Sequence, residues 1–214
     1  VLRVHEIYQS IQGESSLAGV PCTFIRLAGC PLRCTYCDTP QALQATSGTS
    51  MSVDEVIHAI SPYQHSLVLV TGGEPLAQPD CIPLLQRLIE LRHTVQIETS
   101  GAFDVSNVPP SVQKILDIKT PGSGEEARNL WQNLALLQQH DEIKFVLTSR
   151  EDYLWCKDVI EERLPDTPAA ILLSPAHGQL QASDLCAWML ADHLPARLNM
   201  QIHKIIWGAD ASGV

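Results

Sequence analysis

The sequence predicts an α/β fold with a parallel sheet at its centre. Short apolar runs rich in Val, Ile, Leu and Thr recur along the chain, and stretches with helical signals separate most of them. Strand alternating with helix builds right-handed βαβ units, whose parallel strands are covered on both faces. Six or seven strands with about five helices fall short of a full eightfold barrel, so a doubly wound open sheet and an incomplete, curved barrel both fit the pattern. The 214 residues, 45% of them hydrophobic, read as a single domain. A chain of that size buries roughly 70% of its unfolded surface and needs no disulfide staples.

Taken in order, strands are expected at Cys22–Leu27, Leu67–Thr71, Thr94–Thr99, Gln113–Ile118, Glu142–Thr148, Ala169–Ser174 and Leu198–Ile206, each a short apolar run. The first helix starts at Ser52, with Glu55 placed three residues later in a capping-box pattern. Further helices are expected at Asp80–Leu91, Gly124–Gln139, Asp152–Leu164 and Ser183–Leu194. Gln44 to Ser52, rich in Ser, Thr and Gly, reads as a loop. No internal repeat or linker divides the chain. In either architecture the active site lies beyond the carboxyl ends of the parallel strands, so chemistry is expected directly after these runs.

Composition narrows the function. Fourteen Lys and Arg against 24 Asp and Glu give a net charge of −10, which lacks the basic footprint of a nucleic-acid binder but leaves room for a local basic pocket. No apolar run approaches the roughly 18 residues of a membrane span. Val1 to Glu6 has no apolar signal core, so a cytoplasmic protein is expected. Seven cysteines, an odd number in a chain this long, do not read as a disulfide framework. The scattered Cys22, Cys81, Cys156 and Cys186 read as small core hydrophobes; the clustered Cys30, Cys34 and Cys37 read as metal ligands.

That cluster follows the first run, in Gly29-Cys30-Pro31-Leu32-Arg33-Cys34-Thr35-Tyr36-Cys37-Asp38-Thr39. Thiolates at C-x3-C-x2-C spacing on a short loop can converge on one face of a metal centre. Structural zinc wants a fourth protein ligand, such as Cys22 or a distant His; three thiolates suit a four-iron cluster with one iron open. On spacing alone both stand. The second segment follows the second run: Thr71-Gly72-Gly73-Glu74-Pro75. It is an ordinary tight turn with a Glu favoured by a helix dipole, or a place where backbone approaches a ligand closely and Glu74 with nearby carbonyls receives an ammonium group.

Together, the three-cysteine loop, Tyr36 just before its last cysteine and the Gly-Gly-Glu-Pro turn resemble the radical S-adenosylmethionine superfamily. Finer features are similar to its 7-carboxy-7-deazaguanine synthase family: Gln9-Ser10-Ile11-Gln12-Gly13-Glu14, Phe24-Ile25-Arg26-Leu27, Cys37-Asp38-Thr39, Glu98-Thr99-Ser100-Gly101 and Gln201 to Gly208, over about residues 4–208. The resemblance implies a partial, modified (β/α) barrel. It implies a [4Fe-4S] cluster on Cys30, Cys34 and Cys37, S-adenosylmethionine on the open iron with its amino group at the Gly-Gly-Glu-Pro turn, and Mg²⁺. The implied reaction is a carbon–nitrogen lyase step that contracts 6-carboxy-5,6,7,8-tetrahydropterin to 7-carboxy-7-deazaguanine, with loss of ammonia, toward queuosine in tRNA. A homodimer and a flavodoxin-like reductant are implied as well, with no direct nucleic-acid or membrane partner.

Residue by residue, the resemblance implies that Arg26 clamps the substrate carboxylate through a bidentate guanidinium; the lesser alternative is a surface Arg paired with an acid. Ile11, Gln12, Gly13 and Thr71 would face the pterin, with the Gln12 amide reading a ring edge. Tyr36, Cys37, Asp38, Gly73, Glu74, Asp117, Lys119, Ser174 and His177 would line the S-adenosylmethionine site, the Ser174–His177 stretch closing over the adenine. Thr39 would coordinate Mg²⁺, a hard ion suited to oxygen ligands. Glu98 would bond the substrate or the adenosyl ribose as a catalytic residue. The chain departs from many relatives at Asp117-Ile118, where Ser-Pro is usual, and at Ser15, where Gly is usual. His203 and Lys204 fall in the last apolar run, where packing and function are equally good readings. Two other readings fit the cysteine loop: a glycyl-radical-enzyme activase, which needs a protein partner, and a non-catalytic zinc or iron–sulfur interaction module.

Overall fold

The computed structural model describes residues 1–209, 211, 213 and 214. Its centre is one nine-stranded sheet, with strands β1 (Leu2–Ile11), β2 (Pro21–Leu27), β3 (Thr49–Met51), β4 (Leu67–Gly72), β5 (Thr94–Thr99), β6 (Gln113–Ile118), β7 (Glu142–Leu147), β8 (Ala170–Pro175) and β9 (Arg197–Leu198). The spatial order is β3-β1-β2-β4-β5-β6-β7-β8-β9. From β2 to β9 every pairing is parallel, while β1 pairs antiparallel with both β2 and β3. The sheet is open, with β3 and β9 at its edges: a partial barrel. Helices α1 (Val53–Ile60), α2 (Cys81–Glu90), α3 (Arg150–Arg163) and α4 (Ala182–Ala191) connect strands, and α5 (Ile202–Trp207) ends the fold. No helix of the described residues is long and apolar enough to cross a membrane.

Alternation along the parallel strands separates two faces. Ile25 and Leu27, Val68 and Val70, Val95 and Ile97, Leu116 and Ile118, and Ile143, Phe145 and Leu147 join the large core beneath the helices. Within α2, Leu84, Leu85 and Leu88 are fully buried against that face, each burial contributing about 1.5–3 kcal/mol. The opposite face starts with a small cluster of Cys22, Phe24, Leu67 and Leu69. It then turns polar, carrying Arg26, Thr71, Gln96, Glu98, Asp117 and Lys144. The capping box at Ser52 forms as expected: Ser52 N–H donates to Glu55 Oε2 at 2.7 Å, and Glu55 N–H to Ser52 Oγ at 3.2 Å.

Four expectations about elements are corrected. The stretch 44–52, expected as a loop, contains the short edge strand β3, which pairs with β1. β1 was not expected, because a register shift between Val4 and Glu6 breaks the alternation by which a strand is recognised. Residues 124–139 form short 3-10 turns, Glu126–Arg128 and Trp131–Leu136, in place of a helix. Two asparagines divert that backbone: Asn129 exchanges two 2.8 Å bonds with the Lys119 backbone, and buried Asn133 bonds Val105 N, Gly101 O and Phe103 O. The run at 198–206 is the short β9 followed by α5, so His203 and Lys204 are helical. Ile205, Ile206 and Trp207 are exposed there, whereas an inner strand would have buried them.

Candidate active site

A cavity of about 590 Å³ opens at the carboxyl ends of the parallel strands. It is lined by the three clustered cysteines, Tyr36, Asp38 and Thr39 from the loop after β2, and by Gly72 and Gly73 from the turn after β4. These two segments are welded together. Gly73 N–H donates to Leu27 O at 2.9 Å and Glu74 N–H to Gly29 O at 2.8 Å. Gly72 has φ +135°, and a Cβ on either glycine would overlap backbone of Leu27 or Gly29, so close approach requires Gly at both. From the other side, Thr35 N–H and Oγ1 bond Ser123 O and Gly122 O at 3.0 and 2.7 Å.

Arg26, on the inner face of β2, is held from β1. Its Nε donates to Glu6 Oε1 at 2.7 Å and its Nη2 to the Tyr8 hydroxyl at 3.0 Å. Tyr8 in turn stacks on Phe24, with centroids 4.9 Å apart and planes 8° off parallel. Further round the wall, Lys144 on β7 contacts three carboxylates: Glu14 at 2.9 Å, Glu98, and Asp117 at 3.7 Å. Asp117 also pairs with Lys119 at 3.0 Å, and that ammonium sits 5.9 Å from the Tyr36 ring centroid. Burial raises the Glu98 carboxyl against the pull of Lys144. In Glu14 burial is outweighed, and Lys144 holds the carboxyl low.

The loop after β1 crosses the floor of the partial barrel. Gln12 donates to Gln96 at 2.6 Å, Ser15 N–H to Asn199 Oδ1 at 2.9 Å and Ser16 N–H to Glu142 Oε1 at 2.8 Å, so one segment reaches β5, β7 and the residue after β9. Ser15 takes φ +68°, the left-handed conformation for which Gly is suited. Its hydroxyl accepts from Leu17 N–H at 3.1 Å and Gln96 Nε2 at 3.3 Å. Above this loop, α5 acts as a strap. Ile202 N–H bonds Gly13 O at 2.9 Å, and a Cβ on Gly13 would overlap the His203 ring. Gln201 bonds Glu14 at 2.6 Å and Asp38 at 3.0 Å, and Lys204 bonds Asp38 at 3.1 Å. Burial pushes the Asp38 carboxyl up, but Lys204 and Gln201 outweigh it and hold it down at about 2.

Most of the expected site residues meet in this one cavity: Ile11, Gln12, Gly13, Arg26, Cys30, Cys34, Tyr36, Cys37, Asp38, Thr39, Thr71, Gly73, Glu98, Asp117, Lys119 and His177 all line it. Two side chains point elsewhere. Glu74 is 0% exposed; its oxygens accept from Leu76 N–H (3.0 Å), Thr99 Oγ1 (2.8 Å), Ser100 N–H (2.7 Å) and Ser100 Oγ (2.5 Å). That carboxylate is saturated, so it ties the turn to the end of β5, and only backbone of the turn faces the cavity. Ser174 is spent on Asn199 at 2.9 Å, leaving Ala176 and His177 at the rim. Gln12 is partly committed too, its Oε1 accepting from Glu14 N–H at 3.2 Å. A second cleft of about 790 Å³, between α3 and the start of β8, has no cysteine among its described lining residues.

The cavity fits a cluster and a polar cofactor. Its three thiols are unpaired and half-buried, and burial pushes the Cys34 thiol up to about 11. Among the described residues no three His, Cys, Asp or Glu gather around a point that would hold a single metal ion, whereas a four-iron cluster takes each thiolate on a different iron. The Tyr36 hydroxyl and Asp117 Oδ1 are buried without a hydrogen-bond partner, a state costing about 1–3 kcal/mol each unless a bound molecule satisfies them.

The family model of the Radical SAM superfamily matches residues 24–117. Over 100% of its length the chain is 44% identical to a 7-carboxy-7-deazaguanine synthase of Chlorobaculum tepidum, covering 97% of that protein. The chain belongs to the 7-carboxy-7-deazaguanine synthase family. A second member, from Koribacter versatilis, is 39% identical with both chains covered in full. The crystal structure of QueE from Escherichia coli superposes with a TM-score of 0.74 at 28% identity, over 94% of this chain and 93% of that one. Membership makes the chain a radical S-adenosylmethionine enzyme, and the activase and interaction-module readings are not favoured. Within this family frame, sequence reasoning passed over Glu6, Tyr8 and Lys144. The signal for Lys144 was present: a lysine between Ile143 and Phe145 in an apolar run demands buried counter-charge.

Proposed function

We propose that the chain is a 7-carboxy-7-deazaguanine synthase, a carbon–nitrogen lyase that converts 6-carboxy-5,6,7,8-tetrahydropterin to 7-carboxy-7-deazaguanine with loss of ammonia. What carries the reading is family membership over the whole chain, joined to an arginine already aimed at the cavity beside the three-cysteine loop. Cys30, Cys34 and Cys37 would hold the [4Fe-4S] cluster. Backbone of Gly73, with Tyr36, Asp38, Asp117, Lys119 and His177, would hold S-adenosylmethionine. Asp117 Oδ1, buried without a partner, is an acceptor suited to a ribose hydroxyl. When bound, the cluster and S-adenosylmethionine supply the one-electron chemistry that starts the ring contraction.

The chain's own residues bind, orient and exclude water. Arg26 receives the substrate carboxylate on the terminal N–H groups that remain once Nε is taken by Glu6 and one Nη2 hydrogen by the Tyr8 hydroxyl. Thr71, Glu98 and backbone of Ile11 to Gly13 face the ring. Glu98, ion-paired with Lys144, is a carboxylate placed to accept an N–H from the ring. The α5 strap covers the site and keeps bulk water from the reacting ring. Thr39 is the Mg²⁺ ligand of this reading; it precedes the 3-10 turn Pro40–Ala42, yet its side chain makes no capping bond there. A homodimer, a flavodoxin-like reductant and a cytoplasmic setting complete the proposal. Anaerobic incubation of the reconstituted protein with the carboxytetrahydropterin, followed by mass spectrometry, tests it: the deazaguanine product is expected, and its absence with an intact cluster would refute the assignment.

A further inference from the structure

Lys144 lies in the middle of β7, and its side chain, 5% exposed, crosses the inner face of the sheet. The ammonium bonds Glu14 at 2.9 Å and Glu98, and stands 3.7 Å from Asp117. These acids arrive from three elements: the loop after β1, the end of β5 and the end of β6. Glu14 and Glu98 both line the cavity, and among the described residues neither forms an ion pair with any other side chain. Stability is a weak reason for such an array, because apolar residues of the same volume avoid desolvating the charges. Its place on a binding wall gives a better one.

We propose that Lys144 is a positioning residue for substrate recognition: by tying Glu14 and Glu98 to one buried ammonium, it fixes where two carboxylates stand to meet the N–H donors of a heterocycle whose own carboxylate is held by Arg26. The proposal rests on the pterin reading above and deepens it. A pyrimidine edge with an amino group and a ring N–H presents two parallel donors, which a carboxylate accepts in a paired fashion. Lys144 thereby acts through Glu14 and Glu98, without touching the ring.

The groups facing this array are Asp117 and Lys119 at the end of β6, Tyr36 and Asp38 on the cysteine loop, and His203 on α5. With the ammonium removed, burial and mutual repulsion would raise the carboxyls of Glu14 and Glu98. Binding that needs them ionised would then fail at a higher pH than before.

The test is substrate affinity across pH, by anaerobic calorimetry on the cluster-loaded protein. Lys144→Met is expected to raise the dissociation constant at neutral pH by about tenfold or more and to move the acid limb of binding upward. A purely structural role would lower the melting temperature without moving that limb. The cluster spectrum and S-adenosylmethionine affinity are expected to stay within about twofold, because Asp117 keeps Lys119 as its partner at 3.0 Å. If Lys144→Met does not fold, Lys144→Arg decides. It keeps the charge, but its flat fork cannot aim donors at carboxylates from three directions, so a rise of about fivefold is expected. Wild-type affinity in either folded variant, or an unmoved acid limb in Lys144→Met, overturns the proposal. Failure of the unaltered chain to bind the pterin overturns the reading beneath it.

Discussion

Arg26 donates its Nε–H to Glu6 at 2.7 Å across the β1–β2 pair and an Nη2 hydrogen to the Tyr8 hydroxyl at 3.0 Å, so the guanidinium is fixed at two nitrogens and keeps its remaining terminal N–H groups for the cavity. The preorganisation comes from an antiparallel neighbour strand, and the rigid fork loses little freedom when it meets a carboxylate.

Substrate affinity should therefore depend steeply on this residue. Charge-assisted bonds contribute about 1.5–3 kcal/mol each, so Arg26→Ala is expected to raise the substrate dissociation constant by roughly 100-fold or more. Arg26→Lys should fall between. Anaerobic calorimetry measures both, and S-adenosylmethionine affinity should be unaltered in each.

Loss of any one of Cys30, Cys34 or Cys37 should abolish cluster assembly. Iron and sulfide content with the visible spectrum reads this directly. Cys81→Ala, in the core beneath the helices, should leave the cluster intact and cost stability only.

Glu74→Gln is expected to destabilise the protein even without its cofactors. An amide nitrogen would face donors that now meet a saturated carboxylate, a loss of about 2–4 kcal/mol. Thermal unfolding of the cluster-free chain checks this; an unchanged melting temperature would return Glu74 to the cofactor site.

At Ser15, the left-handed backbone and the hydroxyl's two bonds pull in opposite directions. Ser15→Ala keeps the strain and loses the bonds, so it should cost about 1–2 kcal/mol. Ser15→Gly relieves the strain and should come out nearly neutral. Denaturant titrations of the pair distinguish the two contributions.

Thr39→Ala should lower turnover and flatten its Mg²⁺ dependence while the cluster spectrum stays the same. An unchanged Mg²⁺ titration would remove Thr39 from the ion's coordination.

Much of this was legible in the chain because the chemistry sits where strand ends must be. The cysteine loop and the Gly-Gly-Glu-Pro turn each follow an apolar run, and the Ser52–Glu55 box announces its helix. Other parts were hidden for physical reasons. The irregularity between Val4 and Glu6 erased the period of β1. Asn129 and Asn133 captured backbone that composition would have wound into a helix. A motif also tells where a side chain is, not which way it faces: Glu74 lies in the right turn and looks inward to Thr99 and Ser100. Lys144 gave one sign, a cation inside an apolar run, but the acids that would have assigned it a role come from distant segments.

The weld between the cysteine loop and the Gly-Gly turn bears on how the protein matures. Small zinc domains take their shape from the metal and lose it when the metal leaves. Here the loop is anchored by Leu27 and Gly29 on one flank and by Gly122 and Ser123 on the other, with none of these anchors passing through a thiol. The loop is therefore expected to keep its form when the cluster is removed, so that a cluster delivered after synthesis, or replaced after oxidative loss, would meet a socket already shaped.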